Sequence, residues 1–181
     1  MRNVLIAGLV GGVAMFIWAA LAHTVLPLGE AGIKTFGDND AAAVASLKSA
    51  TGDASGVYAF PGAGLNGGAL PASGPTGLVV YNAGVVQMNP PTLGGELALE
   101  IVQSVIAAFL LSLTALTIYW KRVGFVVLTG VAVALSTSLS YAIWYAFPLG
   151  YTAGYILTDL VRYLVAGLVI AWLLKPRPAT A

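Results

Sequence analysis

The sequence predicts an all-α membrane protein, a bundle of four transmembrane helices with a cap of short elements on the outer side of the membrane. Hydrophobic residues make up 59% of the 181 residues and charged residues only 8%, whereas a soluble domain carries about 25% charged residues. Four apolar stretches are each long enough to cross a hydrocarbon core of about 30 Å. They hold three formal charges between them, Glu100, Asp159 and Arg162.

We predict a single membrane domain over residues 1–181. Its elements are a first span at 4–26, an extracytoplasmic cap at 27–95, and further spans at 97–119, 123–147 and 151–174. A cleaved signal peptide is the alternative for the first span, because Ala20-Leu21-Ala22 resembles a small-x-small cleavage site. The apolar run is longer than the usual 7–15-residue core of such a peptide, which favours a permanent span.

Basic residues cluster at the N-terminus, between the second and third spans, and at the C-terminus, without any acid beside them. They are Arg2, Lys121, Arg122, Lys175 and Arg177. The positive-inside rule therefore predicts cytoplasmic termini and an outer 27–95 segment. Trp120 and Trp172 would then lie at the cytoplasmic interface, where indole rings are enriched.

The sequence of the outer segment, residues 27–95, predicts three short elements of secondary structure. An Asp-Asn-Asp sequence at 38–40 is typical of a helix start, followed by a helix at 41–49. The runs 57–60 and 78–82 are β-like and are expected to pair as a small ribbon. Asn89-Pro90-Pro91 is expected to end regular structure before the second span. Bulky apolar residues are too few for an independent core, so this segment should pack as a cap on the outer helix ends.

Two patterns concern how the helices associate. Gly8 and Gly12 form a GxxxG pair that permits close approach of another helix, and packing inside the bundle is favoured over a dedicated dimer face. A Pro-Leu-Gly sequence follows a Trp at 27–29 and again at 148–150. This echo suggests two similarly oriented helical hairpins, with chance similarity as the alternative.

Residues that carry a family resemblance lie in the same two regions. The stretch Trp18…His23…Leu26-Pro27-Leu28-Gly29 and the sequence WYAFP at 144–148 resemble uncharacterised bacterial multi-pass membrane proteins with W…H…LP and WY-x-FP patterns. The resemblance implies a bacterial inner-membrane location and carries over no activity.

Helical periodicity gathers the polar residues of the spans into one intramembrane cluster. Its predicted members are Glu100, Gln103, Asp159, Arg162, His23 and Tyr141. We expect Glu100 at a depth of ~7 Å and Arg162 at ~16 Å, near the midplane. A charge at the bilayer centre costs ~2.5–3.5 kcal/mol, so Arg162 should face the bundle interior. Asp159 at i−3 is its nearest expected anion and Glu100 the second.

The charge count leaves one carboxylate in excess. Glu100 is therefore a candidate site for a proton or a cation, although a structural role in holding the bundle together is favoured and ligand binding is a third alternative. His23 is expected to tie the cap to the helices by hydrogen bonding. A metal site built from His23, Glu30 and Glu96 is chemically allowed, but their spacing matches no established motif, so no metal site is expected.

Several function classes are excluded or disfavoured. The chain has no cysteine and one histidine, which removes disulfides, thiolate sites and a bis-histidine haem. G-x-S-x-G, H-E-x-x-H and Walker motifs are absent, so we expect no catalytic residues, no cofactor and no enzyme activity. The net charge of +1 gives no reason to expect nucleic acid as a partner.

The expected partners are the lipid bilayer and other membrane subunits or further copies of the chain. The favoured function is that of a non-enzymatic accessory or structural subunit of a larger inner-membrane assembly. The alternative is a small proton- or ion-coupled transporter or binding protein that uses Glu100, Asp159 and Arg162.

Overall fold

The computed structural model describes residues 1–26, 28–63, 67–69, 71–85 and 88–176. Within these residues, four helical segments are long and apolar enough to cross a membrane, as the sequence predicts. They are α1 (Arg2–Thr24), α3 (Pro90–Ser112), a continuous segment at Tyr119–Tyr145, and α6 (Leu149–Leu173).

The third of these segments is not a uniform α-helix. It consists of α4 (Tyr119–Ala134), a π-helical turn (Leu135–Leu139) and α5 (Ser140–Tyr145). The hydroxyls of Ser136 and Thr137 both donate to the carbonyl of Val133, at 3.0 and 2.7 Å. Such side-chain bonds compete with the backbone ladder of a helix, and they lie where the wider turn is inserted.

The four membrane-length segments pack in the order α3, α1, α6, α4. Helix α1 lies along both α3 and α6, α6 lies along α4, and α3 touches α4 at few residues. Met15, Leu111, Val126 and Ile170 are almost completely buried where these helices meet. The two inner helices thus form the centre of the bundle and the two outer helices flank it.

The GxxxG pair faces α3 inside the bundle. A Cβ atom added to Gly8 would lie 2.6 Å from the Cα of Val105, and one added to Gly12 would lie 2.5 Å from the Cα of Ile101. Distances this short are steric clashes, so α1 and α3 approach as closely as they do because these positions carry no side chain.

The second span is displaced from its predicted range of 97–119, because α3 begins at Pro90 and ends at Ser112. The expectation that Asn89-Pro90-Pro91 ends regular structure is wrong. The Asn89 side chain accepts a hydrogen bond from the backbone N–H of Thr92 at 3.0 Å, and proline is tolerated in the first helical turn because no intrahelical bond is lost there. Hydropathy alone does not detect such a polar, capped first turn.

The segment between α1 and α3 contains the predicted short elements. Helix α2 (Asp40–Thr51) ends at Gly52, which has a φ of +62°. Strands β1 (Gly56–Phe60) and β2 (Gly77–Tyr81) form an antiparallel ribbon with Gly56 opposite Tyr81. Both the helix and the ribbon confirm the sequence-based expectation.

The echoing sequences have different structures but lie side by side. Leu28–Glu30 forms a separate 3₁₀ turn after α1, whereas Leu149 and Gly150 begin α6. The chain after the turn packs on α6, with Ala31 against Gly154 and Gly32 against the backbone of Tyr151. This contact joins the start of the 27–95 segment to the Leu149 end of α6, while packing of α2 and the ribbon on the helix ends stays a prediction.

Candidate functional site: a charged triad between the helices

Two acids, Glu100 on α3 and Asp159 on α6, lie at similar distances along their helices. Glu100 lies ten residues after Pro90 and Asp159 ten residues after Leu149, so each is ~15 Å along its helix. Glu100 therefore lies farther from the start of its helix than the ~7 Å expected for the predicted span, because α3 begins at Pro90 and not near residue 97. Glu100, Asp159 and Arg162 form what we call the charged triad.

Arg162 contacts both acids of the triad. Its Nη1 lies 3.0 Å from Oε1 of Glu100 and 3.7 Å from Oδ1 of Asp159. Helical side chains lean toward the N-terminus of their helix, so the guanidinium reaches back from Arg162 to the level of both carboxylates. Glu100, expected to be the second partner, is the nearer one.

Burial makes the triad an electrostatic problem for the fold. The Glu100 side chain is completely buried, and those of Arg162 and Asp159 are 14% and 15% exposed. With all three groups ionised the triad carries one excess negative charge. Oε2 of Glu100 has no hydrogen-bond partner among the described residues. A proton or a cation at that oxygen would remove the excess charge, which is the chemistry that this arrangement can support.

Neutral polar groups surround the triad and cross-link its helices. Gln103, one turn along α3 from Glu100, accepts a hydrogen bond at its Oε1 from the Tyr163 hydroxyl at 3.0 Å. Trp18 on α1 donates from Nε1 to the carbonyl of Thr158 at 3.0 Å. These bonds join α3 to α6 and α1 to α6 directly beside Asp159 and Arg162.

Three residues that lie beside the charged triad are absent from the intramembrane cluster predicted from the sequence. Tyr163 and Trp18 are large apolar residues whose single polar atom a hydropathy pattern does not register. Ser104 is completely buried beside Gly11 of α1, and its hydroxyl has no partner among the described residues. Its position one turn beyond Glu100, on the same face of α3, is the only sequence pattern that pointed to it.

Two predicted members of the cluster lie elsewhere. Tyr141 is 53% exposed and stacks on Phe147 with ring centroids 5.6 Å apart. From Phe147 the row of aromatic contacts continues through Tyr151 to Tyr155, in the first two turns of α6. His23 is also exposed, and its imidazole packs on Gly29 in the turn after α1. Both residues lie within four residues of the ends of their helices, at Thr24 and Tyr145, and are therefore nearer to a helix end than the triad is.

The alternative of a metal site receives no support from the placement of its candidate ligands. Among the residues that the structure describes, no three His, Asp or Glu side chains are grouped so that they could hold a metal ion. His23, Glu30 and Glu96 are therefore not brought together.

A second buried cation, besides Arg162, lies at the end of the bundle where α1 begins and α6 ends. Arg122, treated in the sequence as a loop charge, is in the first turn of α4 and only 3% exposed. Its Nη1 donates to the carbonyl of Leu116 at 3.0 Å, and its Nη2 donates to the carbonyl of Leu174. The last carbonyls of a helix lack intrahelical donors, so Arg122 satisfies the end of α6 and fixes the α3–α4 connection to it.

The two flanking helices, α3 and α4, leave an open cleft between them. It encloses about 340 Å³ and lies on the side of the bundle where α3 and α4 barely touch. Its walls come from α3, α4 and one residue of α6, namely Gln103, Ile106, Ala107, Leu110, Thr129, Val133 and Tyr163. Gln103 and Tyr163, which share a hydrogen bond, thus both line the cleft.

Comparisons of the chain with protein-family models, with curated proteins and with solved structures find no significant match. The site must therefore be interpreted from its own chemistry.

Proposed function

We propose that the chain is a non-enzymatic accessory or structural subunit of a larger membrane assembly. The open α3–α4 cleft is the observation that carries this proposal. A helical membrane protein that is complete by itself buries its polar side chains between its own helices. Here the two flanking helices leave a groove of about 340 Å³ with polar groups in its wall.

Gln103 indicates which chemical group the partner helix should carry. Its carbonyl oxygen accepts from Tyr163, and its amide NH₂ remains as a donor that a partner in the cleft can use. A polar donor left unpaired in hydrocarbon is costly, and glutamine commonly bonds across helices in membranes. The partner is therefore an apolar transmembrane helix with an acceptor, such as a serine hydroxyl or a carboxamide, at the depth of Gln103.

Site-specific photocrosslinking in the source membrane tests this proposal. A photoreactive residue at Ile106 or Val133, which line the cleft, should form a discrete adduct with one subunit. The matched controls are Phe109 on α3 and Leu128 on α4, which are 41% and 65% exposed and lie outside the cleft lining. They should give little adduct.

Extraction in mild detergent followed by native electrophoresis supplies the second measurement. The crosslinked partner should co-migrate with the chain in a stoichiometric band, and a second copy of the chain would identify a homo-oligomer. Migration as a lone 18.5 kDa protein in several detergents, without a cleft-specific adduct, would exclude the subunit proposal.

The location that accompanies this function is the bacterial inner membrane, with both termini cytoplasmic and the 27–95 segment outside as a cap. The resemblance to bacterial multi-pass proteins and the acid-free basic clusters support this arrangement. Because the chain has no cysteine, single cysteines can report the orientation without background. Labels at Asp53 should react from outside and labels at Lys121 only after permeabilisation; the reverse pattern would invert the arrangement.

The excess carboxylate of the triad favours a second candidate, a small proton- or ion-coupled transporter or binding protein. A completely buried Glu100 whose Oε2 receives no donor among the described residues is the type of group that exchanges a proton in membrane carriers. Reconstituted vesicles with a pH-sensitive dye inside should then show proton flux that Glu100→Gln abolishes. Glu30→Gln, which changes an exposed acid, is the control. Absence of flux for the unmodified chain at every pH tested would exclude this candidate.

A further inference from the structure

A cavity of about 390 Å³ lies at the end of the bundle that holds Arg122. We call this end the basic end; it comprises residues 1–3, 112–122 and 174–176. Three cationic side chains line the cavity, Arg2 on α1, Arg122 on α4 and Lys175 just after α6. Asn3, Ser112 and Thr114 add neutral polar groups.

Arg122 is the key to what this cavity binds. It is 3% exposed, and its bonds go to two backbone carbonyls rather than to a carboxylate. Its Nε is buried and has no hydrogen-bond partner among the described residues. Two carbonyl dipoles do not neutralise a full positive charge, and a buried charge without a counterion is costly.

Among the described residues, no Asp or Glu side chain belongs to this end. The sequence has no Asp or Glu before Glu30, between Glu100 and Asp159, or after Asp159. Arg2 and Lys175 at the mouth of the cavity are exposed and add to the positive potential there. No side chain of the basic end can therefore neutralise Arg122, whereas an anion from outside the chain can.

We propose that this cavity binds a phosphate group, the phosphodiester of an anionic lipid headgroup. Arginine matches the geometry of phosphate oxygens with its planar donors. The cavity lies at the ends of four membrane-length helices, at the level where headgroups are found. The hydroxyl of Ser112 donates to the carbonyl of Phe109, which leaves its oxygen to accept from a hydroxyl of a glycerol headgroup. The hydroxyl of Thr114 donates to the carbonyl of Leu111 and already accepts from the backbone N–H of Leu116.

Thermal unfolding of the purified full chain in neutral detergent tests the proposal with three additives. Phosphatidylglycerol should raise the unfolding temperature in a saturable way, and phosphatidylcholine should leave it unchanged. Inorganic phosphate distinguishes the source of the group. An equal rise with phosphate alone would assign the cavity to free phosphate instead of lipid, and no rise with either anion would overturn the proposal.

Variants at the mouth of the cavity separate a built site from general attraction. Arg2→Gln combined with Lys175→Gln should weaken retention of phosphatidylglycerol about 10-fold in native mass spectrometry, since each cation contributes to anion binding. Both side chains are exposed, so the variant should fold. Lys121→Gln removes an exposed charge at the same end that does not line the cavity, and it should retain the lipid as the unmodified chain does. An equal loss in Lys121→Gln would overturn the proposal.

Discussion

The two buried arginines of this protein are neutralised in different ways. Arg162, in the middle of the bundle, contacts two carboxylates, so its surroundings carry more negative than positive charge. Arg122, at the basic end, contacts only backbone carbonyls, so its surroundings remain positive. The first site can take up a proton or a cation, and the second can take up an anion. The comparison shows that burial alone does not define a site; the sign of the uncompensated charge does.

Removing Arg162 should have the largest effect on stability. Arg162→Leu leaves Glu100 and Asp159 buried without a counterion, and breaking a buried ion pair costs about 3–5 kcal/mol. Adding Glu100→Leu should recover part of this loss, because it removes the nearer stranded acid. Thermal unfolding in detergent measures both, and a double variant as unstable as the sum of the single variants would contradict the pairing.

Arg122→Leu should have the next largest effect, at about 2–4 kcal/mol, because it leaves the carbonyls of Leu116 and Leu174 without a donor. Arg122→Lys should retain part of the stability, since it keeps the charge but not the two-pronged geometry. Lys121→Gln, at the adjacent exposed position, is the control and should stay within about 0.5 kcal/mol of the unmodified chain. Similar losses for both positions would mean that Arg122 acts as a general surface charge.

The close packing that brings Glu100 to the centre can be broken without touching a charge. Gly12→Val should destabilise the fold by about 1–3 kcal/mol, because its side chain would meet the backbone of Ile101. Gly124→Val is the matched control, since a Cβ there meets nothing within 4 Å. If the two valine variants unfolded at the same temperature in detergent, the α1–α3 contact would not be as close as described.

An exposed ion pair provides the smallest expected effect. Asp53 accepts from the Tyr81 hydroxyl at 2.7 Å and lies 3.2 Å from Lys48, and these partners lower the pKa of Asp53 below its ordinary value of 3.8, the Tyr81 bond contributing most. Since the folded pKa is depressed, the contribution to ribbon stability is present above the unfolded value and is lost as the pH falls through the folded one.

Tyr81→Phe should move the pKa of Asp53 back toward 3.8, while the fold outside the ribbon stays intact. A carboxyl NMR titration of Asp53 measures this shift directly. An unchanged pKa would show that the hydrogen bond does not form in solution.

The sequence predicted the helices well and the site less well, for a physical reason. Hydropathy finds spans because lipid imposes about 20 apolar residues on each of them. It does not locate a polar first turn such as the one capped by Asn89, and this error in α3 shifted the predicted distance of Glu100 from the start of its helix. The tie from Arg122 to Leu174 joins residues 52 positions apart, and a contact of that range depends on helix packing that no local pattern records.

The π-helical turn at Leu135–Leu139 has a consequence for how the chain tolerates changes in length. Such a turn accommodates one residue more than the α-helix would hold. Deleting a single residue there would therefore restore regular winding and leave α5 close to its present phase relative to α4. Tyr141 would stay beside Phe147, and the aromatic row leading to Tyr155 would keep its first member. A one-residue deletion within the regular winding of α4, by contrast, would rotate everything beyond it by about 100°.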